Sequence, residues 1–370
     1  MTTTWSDFFL GILAGILGSA IFIGLYLQRG GRRMASLIRK REEKIRYAQH
    51  LRLSMGPHVV ALGGGTGLST LLRGLKRYTR NITAVVTVSD EGGSSGRLRQ
   101  EWGMLPPGDI RNCIVALAED DNYLNNILNF RFDRGELSGH NLGNLILLAA
   151  TEIAGDFRAA VEEMNNLLAI RGRVLPVTSE AIQITAELKD QSIVRGELEI
   201  SCKGSQICRI WLEPSDVAPL PEILEAIEKA DILVLGPGSL FTSILPNLLV
   251  PDIAEALRTS GKPIIYVANL MTQPGETEGL TFEDHVIWIR NLLHKWPDYV
   301  FANNGTIPPE IVEKYRRDGA TPLIGTSRSL DYTCIDGDFL SIEKGLLRHN
   351  SNRLAEEIIR LYKYTTPSGI

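Results

Sequence analysis

Cysteine is scarce, four residues in 370, and Cys113, Cys202, Cys208 and Cys334 show no C-x-x-C spacing. That excludes a disulfide framework and a cysteine zinc site as organising features, and it suits a reducing compartment. The six histidines include no H-E-x-x-H pair, so no structural metal site is indicated. There is no internal repeat and no low-complexity stretch. Basic charge is also in short supply beyond the N-terminal segment. Residues 1–56 hold nine of the 39 lysines and arginines but three of the 43 acidic residues, leaving the rest near −10. Such a surface is poorly suited to nucleic acid. The glycine-rich segments lack the Lys-Ser/Thr of a Walker loop, which argues against a P-loop NTPase.

What is present is more specific. Residues 59–68 read VVALGGGTGL and residues 85–96 read VVTVSDEGGSSG. Each is a short apolar, β-branched run that ends abruptly in glycine, as at the C-terminal edge of a parallel sheet. In open α/β sheets that edge is where ligands bind. Gly63, Gly64, Gly65, Thr66 and Gly67 open a helical pattern over 68–75, so a helix N-terminus behind the loop favours an anion. Asp90 stands 23 positions after Gly67, close to where a nucleotide-binding unit keeps its ribose-reading carboxylate. A second loop, Gly92, Gly93, Ser94, Ser95 and Gly96, follows at once. Leu68 stands where a third glycine of the dinucleotide fingerprint belongs, so the pattern indicates nucleotide-type binding rather than an ordinary dehydrogenase.

Residues 8–27 form a 20-residue apolar segment without internal charge, followed by Arg29, Arg32, Arg33, Arg39, Lys40, Arg41, Lys44 and Arg46. Twenty helical residues span about 30 Å, one hydrocarbon core. The positive flank places the bulk of the chain in the cytoplasm. The expectation is an uncleaved single-pass anchor on the cytoplasmic membrane over residues 1–28 and a basic juxtamembrane linker over 29–56. The rest, 57–370, is long enough for one large α/β domain or two lobes. Gly11 and Gly15 make a small-xxx-small pair open to helix association.

Apolar runs at 59–62, 84–88, 231–235, 263–268 and 299–302 predict buried parallel strands, with helices over 110–118, 142–153, 221–229 and 253–259. The segment 174–213 alternates instead and predicts a small inserted β meander or hairpin, open to use as a dimer surface, a lid or decoration. Several loops face the same edge. Asp109 is foremost a helix N-cap, with ligand or metal contact an addition. Asn141 and Asn144 suit a base edge or sugar hydroxyls, and His140 beside them is more simply structural. Gly238, Ser239 and Thr242 could hold a phosphate. Asn269, Thr272 and Gln273 end the next strand, and Tyr266 within it either stacks on a ring or packs inward.

The motifs GGGTG, SDEGGSSG, PPGDIRN, HNLGN, LGPGSLFTS, NLMTQPGET and LRHN, in that order, resemble the YvcK/CofD family of gluconeogenesis factors from Pro57 to about Tyr362. The resemblance implies a Rossmann-like core with a mostly parallel sheet flanked by helices, often dimeric. One branch of the family transfers 2-phospho-L-lactate from a nucleotide-diphosphate donor with Mg²⁺. The other binds UDP-sugars such as UDP-N-acetylglucosamine and supports cell shape and wall synthesis on gluconeogenic carbon, without an established reaction. The late motifs are similar to the second branch, in which Tyr266 and Arg348 would serve the UDP-sugar site. Arg348 suits a diphosphate, although a surface arginine near the last helix is the simpler alternative. A binding regulator is thus favoured over a transferase in which Asp90 or Asp109 would hold Mg²⁺. No catalytic nucleophile–base pair stands out and no resident metal is expected. The apolar segment departs from the usual soluble family member and is compatible with a place beside membrane-bound wall synthesis.

Overall fold

The computed structural model describes residues 41, 44, 45, 47, 48, 50–119, 122–325 and 331–365. The chain divides into two units, Met1–Met55 and Gly56–Ile370. In the first, the described residues through Ser54 are helical. The expected membrane anchor lies outside the described residues. Among those that are described, no single helix is long and apolar enough to cross a membrane.

Among its described residues the second unit carries twelve strands: β1 (Val59–Gly63), β2 (Ile82–Val86), β3 (Arg173–Pro176), β4 (Gln183–Leu188), β5 (Ile193–Arg195), β6 (Ile207–Glu213), β7 (Ile232–Leu235), β8 (Ile264–Val267), β9 (Tyr299–Asn303), β10 (Thr333–Gly337), β11 (Leu340–Glu343) and β12 (Leu346–His349). Seven form one sheet in the order β10-β9-β8-β7-β1-β2-β3. Every neighbouring pair in it is parallel. The five apolar runs became β1, β2, β7, β8 and β9, whose inner residues are buried on both faces, as the absence of polar alternation requires. The two outermost strands were not expected. β3 is four residues ending in proline and β10 is half exposed, both weak signals typical of sheet edges.

The strand order reverses between β1 and β7, so right-handed crossovers place the helices after β1 on one face and those after β7 on the other. Helix Gly65–Leu75 buries Leu68, Leu71, Leu72 and Leu75 completely, each worth about 2 kcal/mol of apolar transfer. It packs against Gly108–Leu117 and Ser351–Thr365. Gly74 permits the last contact, since a Cβ there would lie 1.9 Å from the Ser351 carbonyl oxygen.

The insert is antiparallel as expected: β4 and β5 make a hairpin, and β6 returns beside β4 instead of continuing a meander. Its order is β5-β4-β6, with the short helix Glu197–Lys203 between β5 and β6. It begins at Gln183, because residues 173–176 pair with β2 in the main sheet. A two-stranded ribbon, β11-β12, carries the late LRHN motif.

Candidate functional site

The reversal point between β1 and β7 opens a cleft of about 470 Å³. That size falls in the range of small-molecule sites, and the position is where doubly wound sheets bind ligands. Gly64, Gly65, Thr66 and Gly67 form one part of its lining, and Gly238 and Ser239 another. Asn269, Thr272 and Gln273 come from the loop after β8, and Arg348 from the ribbon. Asp90 completes the residues that the sequence assigned to it.

The glycines serve packing first. A Cβ on Gly67 would stand 2.0 Å from the Pro237 carbonyl oxygen, so only glycine lets the loops after β1 and β7 meet. One on Gly64 would lie 2.7 Å from Asp109 Oδ2. Helix Gly65–Leu75 has no side-chain cap of its own. The Asp109 carboxylate accepts the Gly65 N–H instead and caps that helix from a neighbouring segment. This corrects the expectation that Asp109 caps its own helix, where Pro107 occupies the N-cap. Burial, and next the Asp90 charge, push the Asp109 carboxyl up to about 7.

The polar residues of the β7 and β8 loops bind one another before any ligand. Asn269 Oδ1 accepts the Gly238 N–H at 3.2 Å, and Ser239 Oγ donates to Gln273 Oε1 at 2.8 Å. Thr272 Oγ1 accepts the Thr321 N–H at 2.9 Å. Thr242 is buried outside the cleft, its N–H donating to Glu276 Oε1 at 3.3 Å, so it does not offer the phosphate contact expected of it. Fully buried Glu276 also accepts from Phe241 N–H at 2.9 Å, and burial pushes its carboxyl up to about 7.

Other expected residues lie elsewhere. Gly63 is the buried last residue of β1, its carbonyl oxygen accepting from Thr87 N–H and Asn247 Nδ2. Gly92 and Gly93 open helix Gly93–Trp102 without lining the cleft. Ser94 turns inward: its Oγ accepts from Asn144 Nδ2 at 3.2 Å and lies 3.3 Å from His140 Nδ1. Ser95 Oγ accepts the Gly108 N–H at 3.1 Å. Asn141 caps its own helix through the Asn144 N–H at 3.2 Å. Both asparagines and His140 are buried, and burial lowers the His140 pKa. Tyr266 is fully buried with its hydroxyl 3.3 Å from His285 Nδ1 on the flanking helix Phe282–Leu293. Sitting inside β8, it points to the helix layer rather than to the sheet's edge, so it packs and does not stack on a ligand.

The structure brings in residues that the sequence did not single out. Tyr315, Leu347, Met271 and Ala320 supply an apolar and aromatic wall. Tyr315 is held by accepting the Leu347 N–H at 3.0 Å. Its exposed helix carries no nucleotide-like motif, so only the fold could reveal it. His349 donates from Nε2 to the Ala268 carbonyl oxygen at 3.1 Å, and burial lowers its pKa to about 4, leaving it neutral. Among the described lining residues, Arg348 is the sole arginine or lysine, and its guanidinium has no ion-pair partner among the described residues. Glu197 arrives from the insert beside Asp90 and Asp109. Burial, then the Asp90 charge, raises its carboxyl well above the usual range.

Comparison with known proteins places this architecture. The family described as 2-phospho-L-lactate transferase CofD matches residues 59–340. The gluconeogenesis factor of Bacillus subtilis (strain 168) is 43% identical over 312 residues, 83% of this chain and 98% of that protein. The one from Listeria monocytogenes is 40% identical over 309 residues, 82% and 95% of the two chains. A crystal structure of a UPF0052 family member from Bacillus halodurans superposes with a TM-score of 0.79 at 45% identity, covering 81% of this chain and 98% of that one. Doubly wound sheet, reversal-point cleft and sequence likeness over most of the chain agree: it belongs to the CofD/YvcK family, among relatives named gluconeogenesis factors.

Proposed function

We propose that the chain binds a UDP-sugar, UDP-N-acetylglucosamine or a close relative, in the reversal-point cleft and acts as a regulator rather than an enzyme. The observation that carries this reading is the Arg348 guanidinium, the sole arginine or lysine among the described lining residues, in a cleft that also holds Tyr315 and a carboxyl group cluster. A planar guanidinium matches a diphosphate, an aromatic ring matches a base, and carboxyl groups match hydroxyl donors. Occupancy shifts the balance between two states of the protein by differential affinity. By family resemblance the output is cell shape and wall-precursor metabolism, with enzymes of wall synthesis as partners and a homodimer as the assembly. The apolar segment 8–27 would hold the protein to the cytoplasmic membrane, its main domain in the cytoplasm.

A transferase acting on a nucleotide-diphosphate donor is the second reading, favoured by the family's description and by Asp90 and Asp109 beside the first glycine loop. These two carboxylates fit Mg²⁺ shared with substrate phosphates, because such ions need only one or two protein carboxylates, and the cation would relieve the Asp90–Asp109 repulsion. Among the described residues no group of three candidate ligands encloses an ion alone. The ion would stabilise a leaving diphosphate.

Calorimetric titration of the full chain with UDP-N-acetylglucosamine, with and without Mg²⁺, tests both readings. Saturable binding with the ligand recovered intact supports the regulator. Metal-dependent consumption of a nucleotide-diphosphate donor supports the transferase.

A further inference from the structure

The insert does more than decorate the sheet. Helix Glu197–Lys203 is pinned at both ends to loops that wall the cleft. At its start, the Glu197 N–H donates to Glu91 Oε2 at 3.1 Å, and the Glu91 N–H donates back to Glu197 Oε2 at 2.9 Å. Gln183 Nε2 on β4 donates to Glu91 Oε1 at 3.0 Å. Gly196 allows this approach, since a Cβ there would stand 2.1 Å from Glu91 Oε2, and its φ is +86°. Past the helix's end, a Cβ on Gly204 would lie 2.1 Å from the Glu276 carbonyl oxygen, and one on Gly275 would lie 2.6 Å from the Ser201 carbonyl oxygen. The insert thus bridges the loop after β2 and the loop after β8, and it presents Glu197 to the cleft between them.

We propose that Glu197 is the specificity-determining residue of the cleft, a carboxyl group that the insert delivers to the hydroxyl groups of the sugar on a nucleotide diphosphate. This rests on the UDP-sugar reading above. Asp90, Asp109 and Glu197 share one part of the lining, which offers a diphosphate no cation, whereas Arg348 does. The acidic part is therefore left for the neutral, hydroxyl-bearing part of the ligand. A carboxyl group hydrogen-bonds hydroxyls well. The reciprocal bonds with Glu91 fix the Glu197 backbone and one of its oxygens, so little side-chain ordering remains to be done on binding.

The test is calorimetry on the full chain with two probes, UDP-N-acetylglucosamine and UDP. Glu197→Ala should weaken the sugar nucleotide at least about tenfold, 1.4 kcal/mol, and UDP less than about twofold. Glu197→Gln keeps an acceptor for the Glu91 N–H and should recover part of the loss, which guards against a folding defect in the alanine variant. Equal loss for both probes, or unchanged affinity for UDP-N-acetylglucosamine, overturns the proposal while leaving the UDP-sugar reading standing. A wild-type chain that binds neither probe removes that reading and this inference with it.

Discussion

The two glycine-rich loops look alike in sequence and end in different places. Gly64–Gly67 lines the cleft and meets the β7 loop, whereas Gly92–Ser95 starts a helix whose serines turn inward to Gly108, His140 and Asn144. Glycine marks a close approach of backbone at Gly67 but not at Gly92 or Gly93, and only the first loop lies at the point where the strand order reverses. Position in the sheet, not loop composition, separates a ligand wall from a structural joint.

The sharpest way to break this comparison is Gly67→Ala. With its Cβ 2.0 Å from the Pro237 carbonyl oxygen, it should cost about 3 kcal/mol or more in urea denaturation and abolish nucleotide-sugar binding. Gly93→Ala meets nothing within 4 Å and has only its φ of +47° against it, so its cost should be about 1 kcal/mol. Equal costs would mean that the two loops do the same work. Arg348→Ala should lose about 1.5–3 kcal/mol of UDP-N-acetylglucosamine affinity by calorimetry with an unchanged denaturation midpoint.

Asp109 offers a pH-dependent comparison. Its carboxyl titrates at about 7 when folded against 3.8 as the ordinary value, so the folded chain binds the extra proton between those limits. The ionised form opposes folding, and that cost grows as pH rises from about 4 to about 7. Asp109→Asn should therefore stabilise the protein by about 1–2 kcal/mol at pH 8, with the gain vanishing near pH 4 in urea titrations. A gain that persists at pH 4 would rule out the carboxyl's charge as the cause. The smallest effects separate two tyrosines. Tyr266→Phe should cost about 1 kcal/mol of stability and leave affinity alone, while Tyr315→Ala should weaken binding by about 1 kcal/mol.

Much of this was legible along the chain. Short apolar runs at 59–62 and 232–235, each ending in glycine, read as strands buried on both faces, and the glycines after them mark tight approaches. Helix Pro221–Lys229 follows from its proline start and apolar spacing. Strands β3 and β10 were not legible because edge strands need no apolar run.

Local sequence determined the central strands, their flanking helices, the glycine loops at their ends and the family to which the chain belongs, because these depend on periodicity and motif order. Tertiary structure alone decided which polar groups face the cleft. Tyr266 and Asn144 have the right chemistry but are spent on His285 and Ser94, whereas Tyr315 and Glu197 come from segments distant in sequence that only folding brings to the reversal point. A side chain's partners depend on which strands become neighbours, and that information is not local.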